Sequence, residues 1–225
     1  MILKSYEVEK IKSQISNKKI CLLYGENLGI KKDIKNSIEI TIKKNESTIE
    51  KLTLFEDDII KDPENFYNLI FSGSLFSDKK IITVFNASDK ITTHIEEIID
   101  KFPDKIFLFL FSEILEKKSK LRILFEKENK IICVPCYADN EKSLELIAAN
   151  ELKKEKIFLS RESLNLLIRK SEGDRNNLRN ELEKIKSFGK DEKKIEYEKV
   201  KYLINSSNEI KSDNLINICL CGETL

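Results

Sequence analysis

The most hydrophobic stretch of the chain, Ile106–Phe111 (IFLFLF), has no polar face. A short continuous apolar run of this kind is typical of a strand buried on both sides, as in the middle of a parallel sheet. Parallel strands need crossover connections, usually helices, which also cover the faces of the sheet. We therefore predict that Ile106–Phe111 is a central strand, and this constrains the fold of everything around it.

The surrounding sequence alternates between short apolar runs and helical spacing. Ile30, Ile34, Ile38 and Ile42 recur every four residues, which indicates an amphipathic helix. Asp62 and Pro63 predict an N-cap and the first residue of another helix. Two further helices are predicted at His94–Lys101 and Lys117–Glu128. The remaining strands are predicted at Ile20–Tyr24, Thr48–Phe55, Lys80–Phe85 and Ile131–Val134. Five strands separated by helices predict an α/β fold with one parallel sheet covered on both faces.

The pattern changes after Pro135, where only helical spacing remains and no interval is predicted to be a strand. Ser160 is a predicted helix cap, and Gly173 and Gly189 occupy predicted helix C-termini. The helices are predicted at Glu141–Lys153, Ser160–Ser171, Asp174–Phe188 and Tyr197–Asn205. We place an α/β domain at residues 1–138 and a helical domain at 139–210. Residues 211–225 are expected to begin a further helical domain, which favours a fragment of a longer protein.

Charge and apolar runs exclude some classes of protein. Forty basic and 39 acidic residues leave a formal net charge of +1, which disfavours electrostatic binding of nucleic acid by the whole chain but allows a local basic patch. A DNA-binding module in residues 139–225 is disfavoured for the same reason. No apolar run reaches the roughly 18 residues of a membrane span. The N-terminus resembles no signal peptide, so the expected location is the cytoplasm, without membrane contact.

The turn after the first predicted strand, Gly25-Glu26-Asn27-Leu28-Gly29-Ile30-Lys31-Lys32, lies where a nucleotide-binding α/β domain holds phosphate. A P-loop has four residues between its glycines, followed by Lys and Ser or Thr. Here three residues intervene, Ile30 follows the second glycine, and no hydroxyl is placed to hold Mg²⁺. Lys31 or Lys32 could still contact a phosphate. The pattern favours a simple turn, and an ATPase or kinase with an irregular phosphate loop remains the alternative.

No catalytic, metal or cofactor site is predicted. His94, the only histidine, has no Ser or Cys nucleophile motif around it and is interpreted as a solvated surface residue. Cys133 and Cys136 form a CxxC pair, but a thioredoxin-type redox site needs its first cysteine at a helix N-terminus, and Cys133 is within a predicted strand. Zinc would need two more ligands, for which only Cys219 and Cys221 are available. Five cysteines without a signal peptide indicate reduced thiols.

The stretch FSGSLFSDKKIITVFNAS, residues 71–88, carries an unexpected apolar pair, Leu75 and Phe76. In the preceding helix, Phe66, Leu69 and Ile70 form the predicted buried stripe, and at about 100° per residue Leu75 would point away from it. Exposing the two side chains forgoes about 1.5–3 kcal/mol of burial for each. The pair is either an anchor for a partner's apolar pocket or is covered by a fold of the chain itself.

The order of these motifs resembles the delta subunit of the bacterial DNA polymerase III clamp loader. ICLLYGENLGIKKDI resembles that family's first strand with a degenerate nucleotide loop, and SLFSDKKIITVFNAS resembles its clamp-binding corner. FLFLFSEILEKKSKLRILFEK resembles its stretch of strand, loop and helix. SEGDRNNLRNELEKIKSF is similar to a helix of its lid domain. The resemblance covers nearly the whole chain.

The resemblance implies an AAA+-like α/β domain without a functional P-loop, a helical lid domain and a C-terminal helical collar. It implies a non-catalytic subunit that binds the sliding clamp (beta subunit) and helps open it during DNA replication. Clamp contact would fall on Leu75, Phe76 and Gly73, although relatives often carry a larger apolar residue at the position of Gly73. Arg179 matches a phosphate-sensing arginine of ATP-using relatives and is interpreted as structural or as an inter-subunit contact. The implied partners are the gamma/tau and delta-prime subunits, with DNA reached through the assembled complex.

Overall fold

The computed structural model describes residues 2–4, 8–15, 17–43, 48–72, 77, 79–190 and 193–205. The chain divides into two compact units, Met1–Ala138 and Asp139–Leu225. Within the described ranges, every helix is too short or too polar to span a bilayer.

The first unit is built on a five-stranded parallel sheet with the order β2-β3-β4-β1-β5. All five predicted strands are confirmed, with ends that differ from the expected limits by at most one residue. The predicted central strand, β4, occupies the middle of the sheet. The strands are β1 (Ile20–Tyr24), β2 (Ile49–Phe55), β3 (Lys79–Phe85), β4 (Ile106–Ser112) and β5 (Ile132–Pro135).

The side chains of β4 explain why its sequence is apolar throughout. Ile106, Leu108 and Leu110 belong to the core on one face of the sheet. Their neighbours Phe107, Phe109 and Phe111 belong to the core on the opposite face. Successive strand residues point to opposite faces, so both sets must be apolar when helices cover both sides. The α/β fold class predicted from this run is confirmed.

Six helices of the first unit are described: α1 (Val8–Ile15), α2 (Leu28–Lys43), α3 (Glu56–Lys61), α4 (Pro63–Phe71), α5 (Thr92–Ile99) and α6 (Lys120–Lys127). The predicted cap of α4 is confirmed, because the Asp62 carboxylate accepts a hydrogen bond from the Asn65 amide at 3.0 Å. The predicted start of α6 at Lys117 is wrong. Ser119 caps that helix by accepting from the Arg122 amide, so α6 begins at Lys120. Helices α1 and α3 were not predicted.

The second unit contains α7 (Glu141–Lys154), α8 (Arg161–Lys170), α9 (Arg175–Phe188) and α10 (Tyr197–Asn205). The prediction that this region has no strand is wrong: β6 (Phe158–Leu159) and β7 (Lys194–Ile195) form a small parallel sheet. Strands of two residues are too short to show a period of two in the sequence. The predicted cap Ser160 is confirmed, since its hydroxyl accepts from the Ser163 amide.

Helices α7 and α9 pack through buried apolar side chains, and hydrogen bonds to one carboxylate also connect them. Glu151 of α7 accepts hydrogen bonds from Arg179 Nε at 3.1 Å and from Lys186 Nζ at 2.6 Å, both on α9. Burial opposes ionisation of Glu151, but the two hydrogen bonds outweigh burial and hold the pKa of this carboxyl below its usual range. Arg179 therefore makes a structural contact within its own unit. This agrees with the structural interpretation of Arg179, the first of the two given above.

We predict that Glu151→Gln lowers the free energy of unfolding by about 1 kcal/mol at neutral pH, because two cations then lose their shared carboxylate. A lowered folded-state pKa stabilises the fold fully above the ordinary glutamate value of about 4.3, and this contribution is lost as the pH falls through the folded-state value. Urea denaturation at several pH values should therefore show the wild-type and variant curves converging in acid.

The matched control is Glu145→Gln, which removes an exposed carboxylate from the same helix. We expect this control to remain close to wild type at every pH. A gap between wild type and Glu151→Gln that persists in acid would contradict the role assigned to the carboxylate.

Candidate functional site

The predicted clamp-binding residues Gly73, Leu75 and Phe76 lie outside the described residues. Both ends of the segment that carries them are described. Helix α4 ends at Phe71, with Ser72 as its C-cap, and β3 begins at Lys79. The segment therefore joins two described elements, α4 and β3.

Helix α4 packs on the sheet with the predicted stripe. Phe66 and Ile70 are buried, and Leu69 is partly buried against the same core. Phe71, the last residue of the helix, is 48% exposed. The buried stripe thus ends at Ile70, one residue before the end of the helix. The chain has therefore left the core of the unit at Phe71, before the segment 72–79 begins.

Lys80 fastens the end of α4 to the start of β3. Its ammonium donates to the carbonyl oxygens of Leu69 at 3.0 Å and Ser72 at 3.3 Å. The side chain is 6% exposed, and its Nζ lies 3.9 Å from a carboxylate oxygen of Glu50. The last carbonyls of a helix lack partners within the helix and attract cations, which explains this position of the ammonium.

Lys80 was not among the residues predicted from the sequence to matter for the site. A sequence signal was available, because Lys80 directly precedes the apolar residues of a predicted buried strand. In the structure the four residues after Lys80 are buried, and Lys80 itself is 5% exposed. A lysine at such a position must find carbonyl or carboxylate partners. Which partners it finds depends on the helix that packs beside the strand.

A cavity of about 210 Å³ lies next to this junction, between the end of α4 and the amino ends of β3 and β4. Part of its wall is apolar, made by Ile70, Phe71, Pro103 and Ile106. Lys79 and Lys105 also border it. The cavity thus has a partly apolar wall and a border of polar residues and of charged residues of both signs, including Asp104, and it lies beside both ends of the segment 72–79.

The turn between β1 and α2 packs directly on the chain that follows β5. Gly25 has φ of +127°, and a Cβ atom there would lie 2.3 Å from the carbonyl oxygen of Cys136. The Gly25 amide donates to the Glu113 carbonyl at 3.0 Å, and the Asn27 amide donates to the Cys136 carbonyl at 3.0 Å. This close backbone approach explains why only glycine fits at position 25.

The following amides also bond within the chain. Those of Leu28 and Lys31 donate to the backbone carbonyls of Glu26 and Asn27, at 3.1 Å and 3.3 Å. The Ile30 amide donates to the Asn27 side chain at 3.0 Å. A phosphate cradle needs several amides of this turn directed at the ligand. Five of them, counting those of Gly25 and Asn27, instead have partners in the protein.

Lys31, the residue considered for phosphate contact, is 5% exposed and donates to the Ser112 carbonyl at 2.7 Å. Burial lowers the pKa of this ammonium, against the opposing effect of nearby acidic groups. Lys32 is exposed. A cavity of about 490 Å³ remains beside the turn, with Leu28, Phe85, Phe111 and Ile114 among its lining residues.

His94 is not a solvated surface residue, and that interpretation is wrong. It is partly buried, and its Nδ1 lies 2.7 Å from the hydroxyl of Tyr67 on α4. The same hydroxyl donates to the Glu97 carboxylate. Burial, together with Glu97, raises the pKa of Tyr67 to about 12. These bonds join α4 to α5, and none of the three side chains is a nucleophile of the Ser or Cys type.

The described cysteines are buried thiols. Cys133 lies within β5, as predicted, and burial raises its pKa to about 12. Burial also raises the pKa of Cys21, and the Cys136 thiol donates to the Val134 carbonyl at 3.6 Å. Across the described part of the chain, no group of His, Cys, Asp or Glu side chains has the arrangement of a metal site. Cys219 and Cys221 lie outside the described residues.

Comparison with known proteins adds two sequence relationships. A family model described as DNA polymerase III, delta subunit, matches residues 21–136. The probable DNA polymerase III subunit delta of Rickettsia prowazekii (strain Madrid E) is 25% identical over 197 residues. That alignment includes 86% of this chain but only 58% of the relative. The chain thus spans less than two thirds of the length of that protein.

Solved structures establish the similarity of fold. The Bacillus subtilis DNA clamp loader delta protein (YqeN) matches with a TM-score of 0.50 and 16% identity over 98% of this chain and 73% of that one. The RuvB Holliday junction branch migration motor of Thermotoga maritima has a TM-score of 0.59 and 12% identity, over 93% and 68% of the two chains. The fold is AAA+-like, as the sequence resemblance implied.

The role of Lys80 can be tested by Lys80→Met, which keeps most of the aliphatic stem and removes the ammonium. We expect the free energy of unfolding to fall by about 1–3 kcal/mol, because two helix-terminal carbonyls lose a charged donor. Chemical denaturation measures this loss. Lys61→Met, at an exposed position on α3, is the control and should have little effect. Equal stabilities for the two variants would contradict the fastening role of Lys80.

Proposed function

Because the chain belongs to the DNA polymerase III delta subunit family, we propose that it is the clamp-loader subunit that binds the sliding clamp and helps open it during DNA replication. One observation carries the proposal beyond the family relationship. The unit keeps an AAA+-like sheet, while five amides of its first turn bond to the protein itself. Such a unit is suited to holding a partner rather than to using a nucleotide.

Contact with the clamp is assigned to Leu75 and Phe76, with a smaller contribution from Gly73. The support is indirect and comes from the flanks. Lys80 binds the carbonyls at the end of α4, so both ends of the segment 72–79 are held together. A leucine and a phenylalanine on a segment with fixed ends lose less conformational entropy on docking into an apolar pocket than they would on a segment with free ends. Gly73 supplies no side chain to that contact.

Opening of the ring follows from differential binding. A subunit can shift a closed ring toward an open one only if it binds the open or strained form more tightly. In the proposed mechanism the segment 72–79 binds the clamp through Leu75 and Phe76, and the surface of the first unit fits the open ring better. No covalent step by this chain is required, so the chain is proposed to be a non-catalytic subunit of the polymerase complex.

The other partners follow from the same proposal. The gamma/tau and delta-prime subunits would assemble with this chain into the loader and would supply the ATP-driven steps. DNA would be contacted through the assembled complex, mostly at its phosphates. The loader would act where the chromosome is replicated, in the bacterial cytoplasm.

The first test is the double variant Leu75→Ala with Phe76→Ala. We expect its affinity for the purified sliding clamp to fall at least about tenfold, because the apolar anchor is removed. Surface plasmon resonance with immobilised clamp measures the affinity. The matched control is Leu146→Ala with Phe158→Ala, which removes a leucine and a phenylalanine that are 64% and 67% exposed in the second unit. If the double variant binds as tightly as wild type, the anchor is not at these residues.

The second test separates this proposal from the alternative of a nucleotide-using ATPase or kinase. The cavity beside the first turn is the observation that keeps the alternative open to experiment. We expect calorimetric titration with ATP and Mg²⁺ to give no binding in the micromolar range, since five amides of the turn already have partners in the protein. Micromolar binding that is lost in Lys31→Met would support the enzyme instead.

A further inference from the structure

The cavity beside the first turn lies in a crevice at the carboxyl edge of the sheet. Its lining includes Gly25 after β1, Phe85 at the end of β3 and Ser112 at the end of β4. Helix α2, which follows β1, packs on one face of the sheet, and α6, which follows β4, packs on the other. A crevice opens between neighbouring strands whose connections leave in this way. The residues that directly follow each of the five strands are all described.

Aromatic rings form one wall of this cavity. Phe85 and Phe111 both line it, and their ring centroids are 5.0 Å apart. Phe55, which pairs in register with Phe85, continues the row at 6.0 Å and is 51% exposed. The row thus runs from a buried ring on β4 to an exposed ring on β2. The faces of aromatic rings attract both apolar groups and cations.

Two carboxylates border the same cavity. Glu113 is exposed, and within the described part of the chain its side chain makes no hydrogen bond or ion pair. Glu26 is also exposed and accepts one hydrogen bond, from the Ala138 amide at 2.8 Å. An ionised carboxylate has about four acceptor positions, so both groups can accept hydrogen bonds from a ligand.

The third charged group of the lining, the Lys31 ammonium, already has a protein partner. It is 5% exposed and donates to the Ser112 carbonyl at 2.7 Å. Burial lowers the pKa of Lys31, and Cys136, Glu113 and Glu26 oppose this shift. The exposed charges that an incoming ligand meets are therefore the two carboxylates. These repel phosphate and other anions and attract a cation.

The apolar rim indicates the source of the cation. Ile114, which is 64% exposed, and the exposed Leu28 line the cavity, and Phe55 lies beside it. A small organic cation would leave these side chains in water, whereas a protein surface would cover them. Arginine joins an apolar stem to a planar cation that stacks on rings and binds carboxylates through two hydrogen bonds. It is also enriched in protein interfaces.

We propose that the cavity receives an arginine side chain of a partner protein. The guanidinium stacks on Phe85 and donates to the Glu113 carboxylate, while residues beside the arginine cover Leu28 and Ile114. The inference goes beyond the clamp contact assigned to Leu75 and Phe76 and does not depend on it. The surface concerned is the carboxyl edge of the sheet, where the protein's own contacts leave this recess open.

The test titrates the full chain with three probes. They are the peptide acetyl-Leu-Arg-Leu-amide, the same peptide with neutral citrulline in place of arginine, and methylguanidinium. Backbone amide shifts of residues 26–28 and 113–114 are followed by NMR. We expect saturable shifts with the arginine peptide, at a dissociation constant on the order of 1 mM. Citrulline, which lacks the charge, and methylguanidinium, which lacks the apolar flanks, should each bind at least about fivefold more weakly.

Three variants separate charge from ring. Glu113→Gln should weaken binding of the arginine peptide at least about fivefold, because the guanidinium loses its charged acceptor. The matched control is Glu116→Gln, on the same loop but outside the described lining, and it should bind as wild type does. Phe85→Leu keeps an apolar side chain but removes the ring face, and should weaken binding about threefold. Thermal melting checks that each variant folds.

Several outcomes would overturn the inference. They are the absence of saturable shifts with the arginine peptide, equal binding of the citrulline peptide, and equal losses in Glu113→Gln and Glu116→Gln. Equal affinity for methylguanidinium would assign the cavity to a small organic cation instead. Shifts of the same amides with inorganic phosphate, but not with the peptide, would assign it to an anion. The proposed function is decided separately, by clamp binding of the Leu75 and Phe76 variant.

Discussion

Burial of the central strand on both faces is the constraint on which the first unit depends. Strand β4 sends aliphatic side chains to one core and three phenylalanines to the other, so helices must cover both sides. Parallel strands meet this requirement, because the helices that connect them also cover the faces of the sheet. The sheet consequently has two chemically distinct edges, one formed by the carboxyl ends of the strands and one by their amino ends.

The two edges carry different chemistry. At the carboxyl edge, where α/β proteins usually hold ligands, the turn at Gly25 bonds to the chain after β5 and Lys31 binds the Ser112 carbonyl. At the amino edge, Lys80 holds the end of α4, and Lys19 and Lys79 stand over Phe107. The protein's own contacts thus engage Lys31 and five backbone amides at the edge where a nucleotide would bind, although a cavity remains beside them. The opposite edge includes Lys79, which ends the segment 72–79 that is proposed to bind the clamp.

Much of the fold could be predicted because its signals are local. The four-residue spacing of isoleucines in α2 and the cap at Asp62 are properties of neighbouring residues, and both proved correct. The strands β6 and β7 were missed because two residues carry no period. His94 was misassigned because its partner Tyr67 is 27 residues away. The candidate site at Leu75 was reached from sequence alone and remains a prediction.

The sequence by itself determined the α/β class and the five strands of the first unit, since burial is recorded in the spacing of apolar residues. Only the tertiary structure decided where the buried polar groups find partners. Lys31 meets a carbonyl 81 residues away, and Lys19 and Lys79 meet at a ring on a third strand. A hydrogen bond or a charge contact depends on distances in space, and chain folding sets those distances without leaving a periodic trace in the sequence.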